Sequence, residues 1–237
     1  MKFIELDKDH YIYKVISNNI KFEIDEACPF NMGNPFTADK DTFILTIGNT
    51  KFKYKKVDNR KLLPTYIVGG LLRDIITGYG SKWKDVDIVT EDVSTFLDRN
   101  NTPCRNGNTN NQSCSNGYSI VFKHDKYLDA PCDIWQLNES FTIDDKSTIT
   151  IYSLLDSFDF NCNMIAYDIL NNKVIVHEKF LEFMEYKIVI PNNVGKINNY
   201  NKLNHKLDRF NDRYTLSVEA IKLFDECKTY FEVMKIK

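Results

Sequence analysis

The sequence predicts an α+β fold, and three observations carry that prediction. Short apolar strands are spread over residues 11–177, helix-like segments follow Gly70 and fill residues 150–170, and the C-terminal stretch is helical. There Ala220, Phe224, Cys227, Phe231 and Met234 recur at three- and four-residue steps, the spacing of one helix face. No internal repeat is present.

The strands justify themselves in order. Tyr11–Ile16 and Ile20–Ile24 are apolar runs split by Ser17-Asn18-Asn19, and both read as strands. Phe43–Ile47 and Lys51–Val57 read as a second pair, turning at Gly48-Asn49, which tolerate positive φ. Pro29, Gly33 and Pro35 make Cys28–Asp41 a loop. Lys51, Lys53, Lys55 and Lys56 fit a solvated edge strand better than a phosphate contact. Tyr66–Val68 is a strand that runs through Gly69-Gly70 into a helix closed by Gly78, and Asp85–Ile88 is the next strand. Glu91–Leu97 reads as a short helix, and the Asn/Gly/Ser-rich run from Asn100 to Gly117 as a surface loop. Tyr118–Phe122 and Cys132–Leu137 read as strands joined by a turn over Asp125–Pro131, and Asn138–Lys146 as loop. Thr150–Leu170 reads as helical, stopped by Asn171-Asn172, and Lys173–His177 as a strand. Pro191–Asn204 is polar and reads as a linker.

At 237 residues the chain accommodates one sizeable domain with an appendage, or two small domains. Its apolar fraction of 43% and charged fraction of 27% are those of a globular protein. A net charge of −2 supplies no global basic field, so nucleic-acid binding would use a local patch. No apolar run approaches the roughly 18 residues of a membrane span. Met1-Lys2-Phe3-Ile4 leads straight into charged residues, which predicts no signal peptide and an intracellular, cytoplasmic site without a membrane partner. The six cysteines (Cys28, Cys104, Cys114, Cys132, Cys162 and Cys227) lack the paired spacings of a zinc site and read as reduced, mostly buried thiols.

The chemistry concentrates in Tyr66–Asp92. In a strand successive side chains alternate faces, so Asp85 and Asp87 project from one side while Val86 and Ile88 face the core. Two carboxylates on one face of an apolar strand are costly without a positive charge between them, and a divalent cation is the usual partner. Gly69 and Gly70 let backbone approach a bulky anion, and the following helix offers its amides to phosphate. Arg73 lies one turn on, within reach of a triphosphate. Asp133, between Cys132 and Ile134, is a third carboxylate on an apolar strand; Asp129 is its rival. Together these are parts for two-metal phosphoryl transfer.

Gly69-Gly70-Leu71-Leu72-Arg73-Asp74 followed by Asp85-Val86-Asp87-Ile88-Val89-Thr90 resembles the head-domain signature of the tRNA CCA-adding enzyme and bacterial poly(A) polymerase family, a branch of the polymerase-β-like nucleotidyltransferases. The family form is GGxVRD, a leucine-rich helix, then DxDxxT; here Leu72 replaces the valine. Asp159-Phe160-Asn161-Cys162-Asn163-Met164-Ile165-Ala166-Tyr167 is similar to the family's RRDFTINAMAY, with Asp159, Phe160, Asn163, Ala166 and Tyr167 in place. The resemblance spans about half of the chain, Tyr66 to Pro191.

The resemblance implies a head with a mixed, mostly antiparallel sheet backed by helices over residues 61–191. A β-rich extension (1–60) would precede it and a short helical, neck-like segment (192–237) would follow. It implies that Asp85 and Asp87, with Asp133, hold two Mg²⁺ ions. Gly69, Gly70, Arg73, Asp74, Asp159 and Asn163 would contact the nucleotide. The implied reaction transfers NMP from an NTP to an acceptor hydroxyl, with an RNA 3′ end as the first expectation. A protein or small-molecule acceptor, or a head that only binds nucleotide or a partner, stays open. Three departures bear on this. Ser157-Phe158 replaces the arginine pair before Asp159. Anchored on Arg209-Phe210, Asn199, Tyr200 and Leu203 fall where the family's base-reading EDxxR would stand. The long tRNA-measuring body has no counterpart after Pro191.

Overall fold

The computed structural model describes residues 2–25, 42–55, 64–80, 86–90, 117–122, 130–136, 150–192 and 200–235. The chain forms two compact units. One comprises Glu5–Ile151 and Ala166–Ile175; the other comprises Met1–Ile4, Tyr152–Ile165 and Val176–Lys237. Both are discontinuous in sequence.

A seven-stranded sheet runs in the order β1-β10-β9-β5-β6-β8-β7, and most of its strand residues belong to the first unit. Its strands are β1 (Phe3–Leu6), β5 (Thr65–Val68), β6 (Val86–Thr90), β7 (Gly117–Phe122), β8 (Ala130–Gln136), β9 (Ile165–Asp168) and β10 (Lys173–His177). β5 pairs antiparallel with both β6 and β9, and β7 pairs antiparallel with β8, whereas β6 and β8 run parallel. Adjacent β9 and β10 are joined by too few residues for a crossover and form a hairpin. The sheet is therefore mixed and mostly antiparallel, as the sequence predicts.

β5 is buried along its whole length, with Ile67 and Val68 fully enclosed. A central strand covered on both faces reads as a continuous apolar run, and Tyr66–Val68 does so. Thr65 keeps its polar atom in this core by donating to the Thr90 hydroxyl across the register pair, at 3.2 Å. The hairpin after β9 is closed by Asp168. Its carboxylate accepts from the backbone N–H of Leu170 and Asn171 and from Asn171 Nδ2, and Asn172 takes a left-handed φ of 53°. Tyr167 donates to Asn172 Oδ1 at 2.7 Å, and burial pushes its phenol up to about 12.

A second sheet in the same unit is antiparallel and three-stranded: β2 (Ile20–Asp25), β3 (Thr42–Ile47) and β4 (Thr50–Lys55), in that order. Gly48 turns β3 into β4 at φ 57°, the expected hairpin.

Three expectations are corrected. Residues 11–16 form a helix, α1 (Tyr11–Asn19), and not a strand. A strand would place Lys14 on the same face as Ile12 and Ile16. The helix buries Ile12, Tyr13 and Ile16 together, and leaves Lys14 exposed and paired with Asp9. His10 starts it by accepting the Ile12 N–H at Nδ1. Ile165 and Ala166, expected in a helix, lie in β9, because a short apolar run carries no periodicity that separates a buried strand from a helix. Residues 200–204, expected as linker, open α5 (Tyr200–Asn211) on the buried stripe Leu203, Leu207 and Phe210. The expectations for Cys28–Asp41, Glu91–Leu97 and Asn138–Lys146 lie outside the described residues, as does most of the Asn100–Gly117 loop. Cys162 and Cys227 are buried thiols.

The second unit holds α3 (Ile151–Asp156), α4 (Glu178–Tyr186), α5 and α6 (Val218–Lys235), with a short parallel pair, β11 (Ile188–Val189) and β12 (Thr215–Leu216). α4 begins at His177, whose Nδ1 accepts the Lys179 N–H at 3.1 Å. That bond fixes the neutral ring with its proton on Nε2, 3.5 Å from Asp156 Oδ1. Lys2 in turn donates to both oxygens of Asp156, holding that carboxyl below the usual range. The His177 side chain is fully enclosed, and burial pushes its pKa below the ordinary 6.5 although Asp156 opposes the shift. The unfolded chain therefore takes up this proton more readily than the folded one, so the stabilising difference present above pH 6.5 is lost as the pH falls. Denaturation midpoints are expected to drop between pH 7.5 and 5.5. His177→Asn keeps a capping acceptor and is expected to flatten that drop; an unchanged pH slope would assign it elsewhere.

Candidate active site

The expected site residues fall in both units. Gly69, Gly70, Arg73, Asp74, Asp87 and Asp133 belong to the sheet unit, and Asp159 and Asn163 to the helical one. Asp85 and the rival Asp129 lie outside the described residues.

In the sheet unit the geometry centres on the end of β5. Val68 is the register partner of Asp87 on β6, and Asp87 is the register partner of Asp133 on β8. Strands in a sheet lie about 4.8 Å apart, and register partners stand on the same face. Three neighbouring strands thus bring the residue before the glycine turn and two acidic positions into one row. Asp87 is half-buried between buried Val86 and buried Ile88, the alternation the sequence predicts.

Gly69 carries the turn from β5 into α2 (Gly70–Ile76) at φ 73° and ψ −129°, a conformation open only to glycine. Gly70 has ordinary helical geometry. A Cβ there would stand 3.5 Å from Arg73 Nη2, an ordinary contact, so this neighbour does not itself demand glycine.

Arg73 is paired with its neighbour in the chain. It is 2% exposed, and its Nε and Nη2 both donate to Asp74 Oδ1, at 2.8 and 2.7 Å. A guanidinium held this deep needs its carboxylate, since breaking such a pair typically costs about 3–5 kcal/mol. Arg73 and Asp74 are therefore a buried ion pair at the start of α2.

In the helical unit the motif segment is clamped by its own asparagine. Asn161 donates through Nδ2 to Ile188 O, and its Oδ1 accepts the Ile190 N–H. Its backbone N–H donates to Ile190 O. Phe160 is fully buried and meets Phe210 edge-on at 5.2 Å. Asp159 accepts from Lys206 of α5 at 2.6 Å, both side chains about a quarter exposed. Asn163 is half-buried, with Cys162 Sγ 3.8 Å from its Oδ1. Asn161 and Lys206 were not singled out from the sequence; Asn161 sits inside the motif, whereas nothing local in sequence marks Lys206 as Asp159's partner.

Among the described residues no group of three His, Cys, Asp or Glu is assembled to hold a metal ion; a set drawn from Asp85, Asp87 and Asp133 extends beyond them. No helix among them is long and apolar enough to cross a membrane.

The fold and this row of residues define an α+β head with two acidic positions in register beside a glycine turn. A family model described as Gad2, the Gabija anti-defense 2 family, matches residues 39–187, more than half of the chain, and the chain belongs to that family. No curated protein matches the sequence. Among solved structures, the chain is similar to a tRNA nucleotidyltransferase complexed with a primer tRNA and an incoming ATP analog. That match has 21% identity and a TM-score of 0.48, covering 71% of this chain and 47% of the other. It is also similar to the Thermotoga maritima CCA-adding enzyme complexed with tRNA, at 19% identity and a TM-score of 0.48, covering 70% and 38%. A CCA-adding enzyme in complex with CTP matches at 18% identity and a TM-score of 0.46, covering 71% and 38%. The chain spans less than half the length of these solved chains.

The conformation of Gly69 gives a direct test. Gly69→Ala is expected to destabilise the fold by about 1–3 kcal/mol. Gly70→Ala is expected to leave the denaturation midpoint nearly unchanged. Equal effects of the two in urea unfolding would contradict the assigned turn.

Proposed function

We propose that the protein is a Mg²⁺-dependent nucleotidyltransferase that moves NMP from an NTP to an acceptor hydroxyl, with an RNA 3′ end as acceptor. The observation that carries this reading is the register row in which Asp87 and Asp133 stand side by side on parallel strands, next to the Gly69-Gly70 turn. The ordered motif, Gly-Gly, helix, Asp-x-Asp, then a separate Asp, supports it from the sequence.

The donor set suits the ion. Asp85, Asp87 and Asp133 offer only carboxylate oxygens, the ligands Mg²⁺ prefers, and would hold the pair of ions. When bound, the metal supplies charge neutralisation for the triphosphate and lowers the pKa of the attacking hydroxyl. The residues of the chain do the rest. Gly69 and Gly70 leave backbone open to the phosphates at the end of β5. Asp133 takes the proton of the acceptor hydroxyl as its oxygen forms the bond to the α-phosphorus. The bond between that phosphorus and the oxygen bridging to the β-phosphate breaks, and pyrophosphate leaves. Arg73 and Asp74, paired at the first turn of α2, contribute to the nucleotide contacts. At the base-reading positions, Leu203 is core and Tyr200 stacks on Tyr230 at 4.5 Å, so the family's mode of base selection does not carry over.

A second reading keeps the chemistry and changes the acceptor. The family's name sets its members against a defence called Gabija, which favours a protein or small molecule of that defence as the group modified.

Incubation with each labelled NTP, Mg²⁺ and total RNA separates these readings. Label is expected in RNA; label in added protein supports the second reading. Asp87→Asn is expected to lower incorporation at least 100-fold, within the range seen when transition-state charge stabilisation is removed. Full incorporation by that variant in magnesium would rule out the mechanism.

A further inference from the structure

The buried polar chain at the start of α4 has a geometry that depends on one proton, and the proposed chemistry does not use it. His177 is joined on several sides. Its backbone N–H donates to Met164 O at 3.0 Å, beside the Asp159–Asn163 segment, and its Nδ1 accepts the Lys179 N–H at 3.1 Å. The next amide, of Glu178, donates to Lys2 O at 2.9 Å. Phe3 meets the imidazole edge-on at 5.0 Å and packs against Tyr152 of α3 at 5.2 Å. Residues 2 and 3 are thus fastened to α3 and α4 around one ring.

That arrangement is complete only while the ring is neutral. Nε2 is buried and has no hydrogen-bond partner among the described residues; Asp156 Oδ1, at 3.5 Å, is the nearby carboxylate oxygen. Both oxygens of Asp156 are held by Lys2 Nζ, at 2.9 and 2.7 Å. A further proton enters at Nδ1, the basic nitrogen of this tautomer. Two donors then face each other where the Lys179 N–H was accepted, and the cap on α4 is lost.

The imidazolium also sets a second cation beside Asp156. Asp156 on α3 and Glu178 on α4 favour the charged ring, whereas burial, Lys179 and Lys2 oppose it. His177 is fully enclosed, but the Lys2 side chain is 54% exposed and reaches water by turning its stem. Lys2 is therefore the group that gives way.

We propose that His177 is an acid-operated latch. With the ring neutral it holds Lys2 and Phe3 against α3 and α4; with the ring protonated it releases them and opens the first turn of α4. The latch stands apart from the nucleotidyl-transfer reading and does not depend on it.

Amide hydrogen exchange of the folded protein at pH 7.5 and 5.5, read as protection factors, tests this. The Glu178 N–H reports the bond to Lys2 O, and the Lys179 N–H reports the cap. Both are expected to lose about 5- to 10-fold in protection at pH 5.5, the effect of a proton taken up on release one unit below the ordinary histidine value. Phe183 and Leu207, in the same compact unit, are expected to keep theirs. His177→Asn retains an acceptor without a titrating ring, so its protection should be equal at the two pH values. Lys2→Gln, at an exposed position, removes the opposing cation and should move the His177 imidazole titration, followed by proton resonances, to higher pH. Full protection of Glu178 and Lys179 at pH 5.5 would overturn the latch, as would an even loss that includes Phe183 and Leu207. A His177 titration left in place by Lys2→Gln would also overturn it, and that readout stands if His177→Asn does not fold.

Discussion

The parallel register of β6 against β8 is the constraint on which the proposed site depends. It sets Asp87 beside Asp133 in the interior of a sheet, where like charges in register destabilise by about 0.2–1 kcal/mol when nothing positive intervenes. The surrounding strands hold that arrangement in place. β5 lies between β6 and β9, buried throughout, and its last residue, Val68, is paired both to Asp87 and to Ala166. A slip of one residue would turn the carboxylate into the core and Ile88 out of it, so the apolar pattern that builds the sheet also fixes the acidic row.

The second compact unit is organised by different forces. His177, Asp156 and Lys2 form one polar chain and Asn161 clasps Ile188 and Ile190, while Phe160 and Phe210 pack edge-on. The segment Asp159–Asn163 is thus held by backbone hydrogen bonds and aromatic packing, and it leaves Asp159 partly exposed on Lys206. Tyr200 stacks on Tyr230 and Leu203 lies in the core, so both residues of α5 serve its packing.

The strands around the site were legible because their physics is local. Tyr66–Val68, Asp85–Ile88, Tyr118–Phe122 and Cys132–Leu137 are apolar runs of strand length bounded by turn residues, and all four runs contribute a strand. Gly69 was legible as a turn, and its φ of 73° supplies the reason. Residues 11–16 were not legible, because their β-branched composition favours a strand while the burial of Ile12, Tyr13 and Ile16 requires a helix. Ile165–Asp168 failed for the complementary reason: a strand enclosed on both faces has no alternation to read. The state of Arg73 was beyond the sequence too. Spacing placed it one turn past the glycines, but only the fold shows its guanidinium buried against Asp74. Likewise the Lys206–Asp159 pair joins positions 47 residues apart and has no local signature.

Asp133, with Asp129 as its rival, is proposed as the third carboxylate from its apolar flanks Cys132 and Ile134 and from its register with Asp87. Mn²⁺ binding, read from the relaxation of water protons, tests it with the metal itself and without any acceptor. The account predicts that Asp133→Asn weakens Mn²⁺ binding at least 10-fold while Asp129→Asn leaves it unchanged, as the loss of a first-sphere carboxylate requires. Loss of Mn²⁺ in Asp129→Asn with Asp133→Asn unaffected would contradict it.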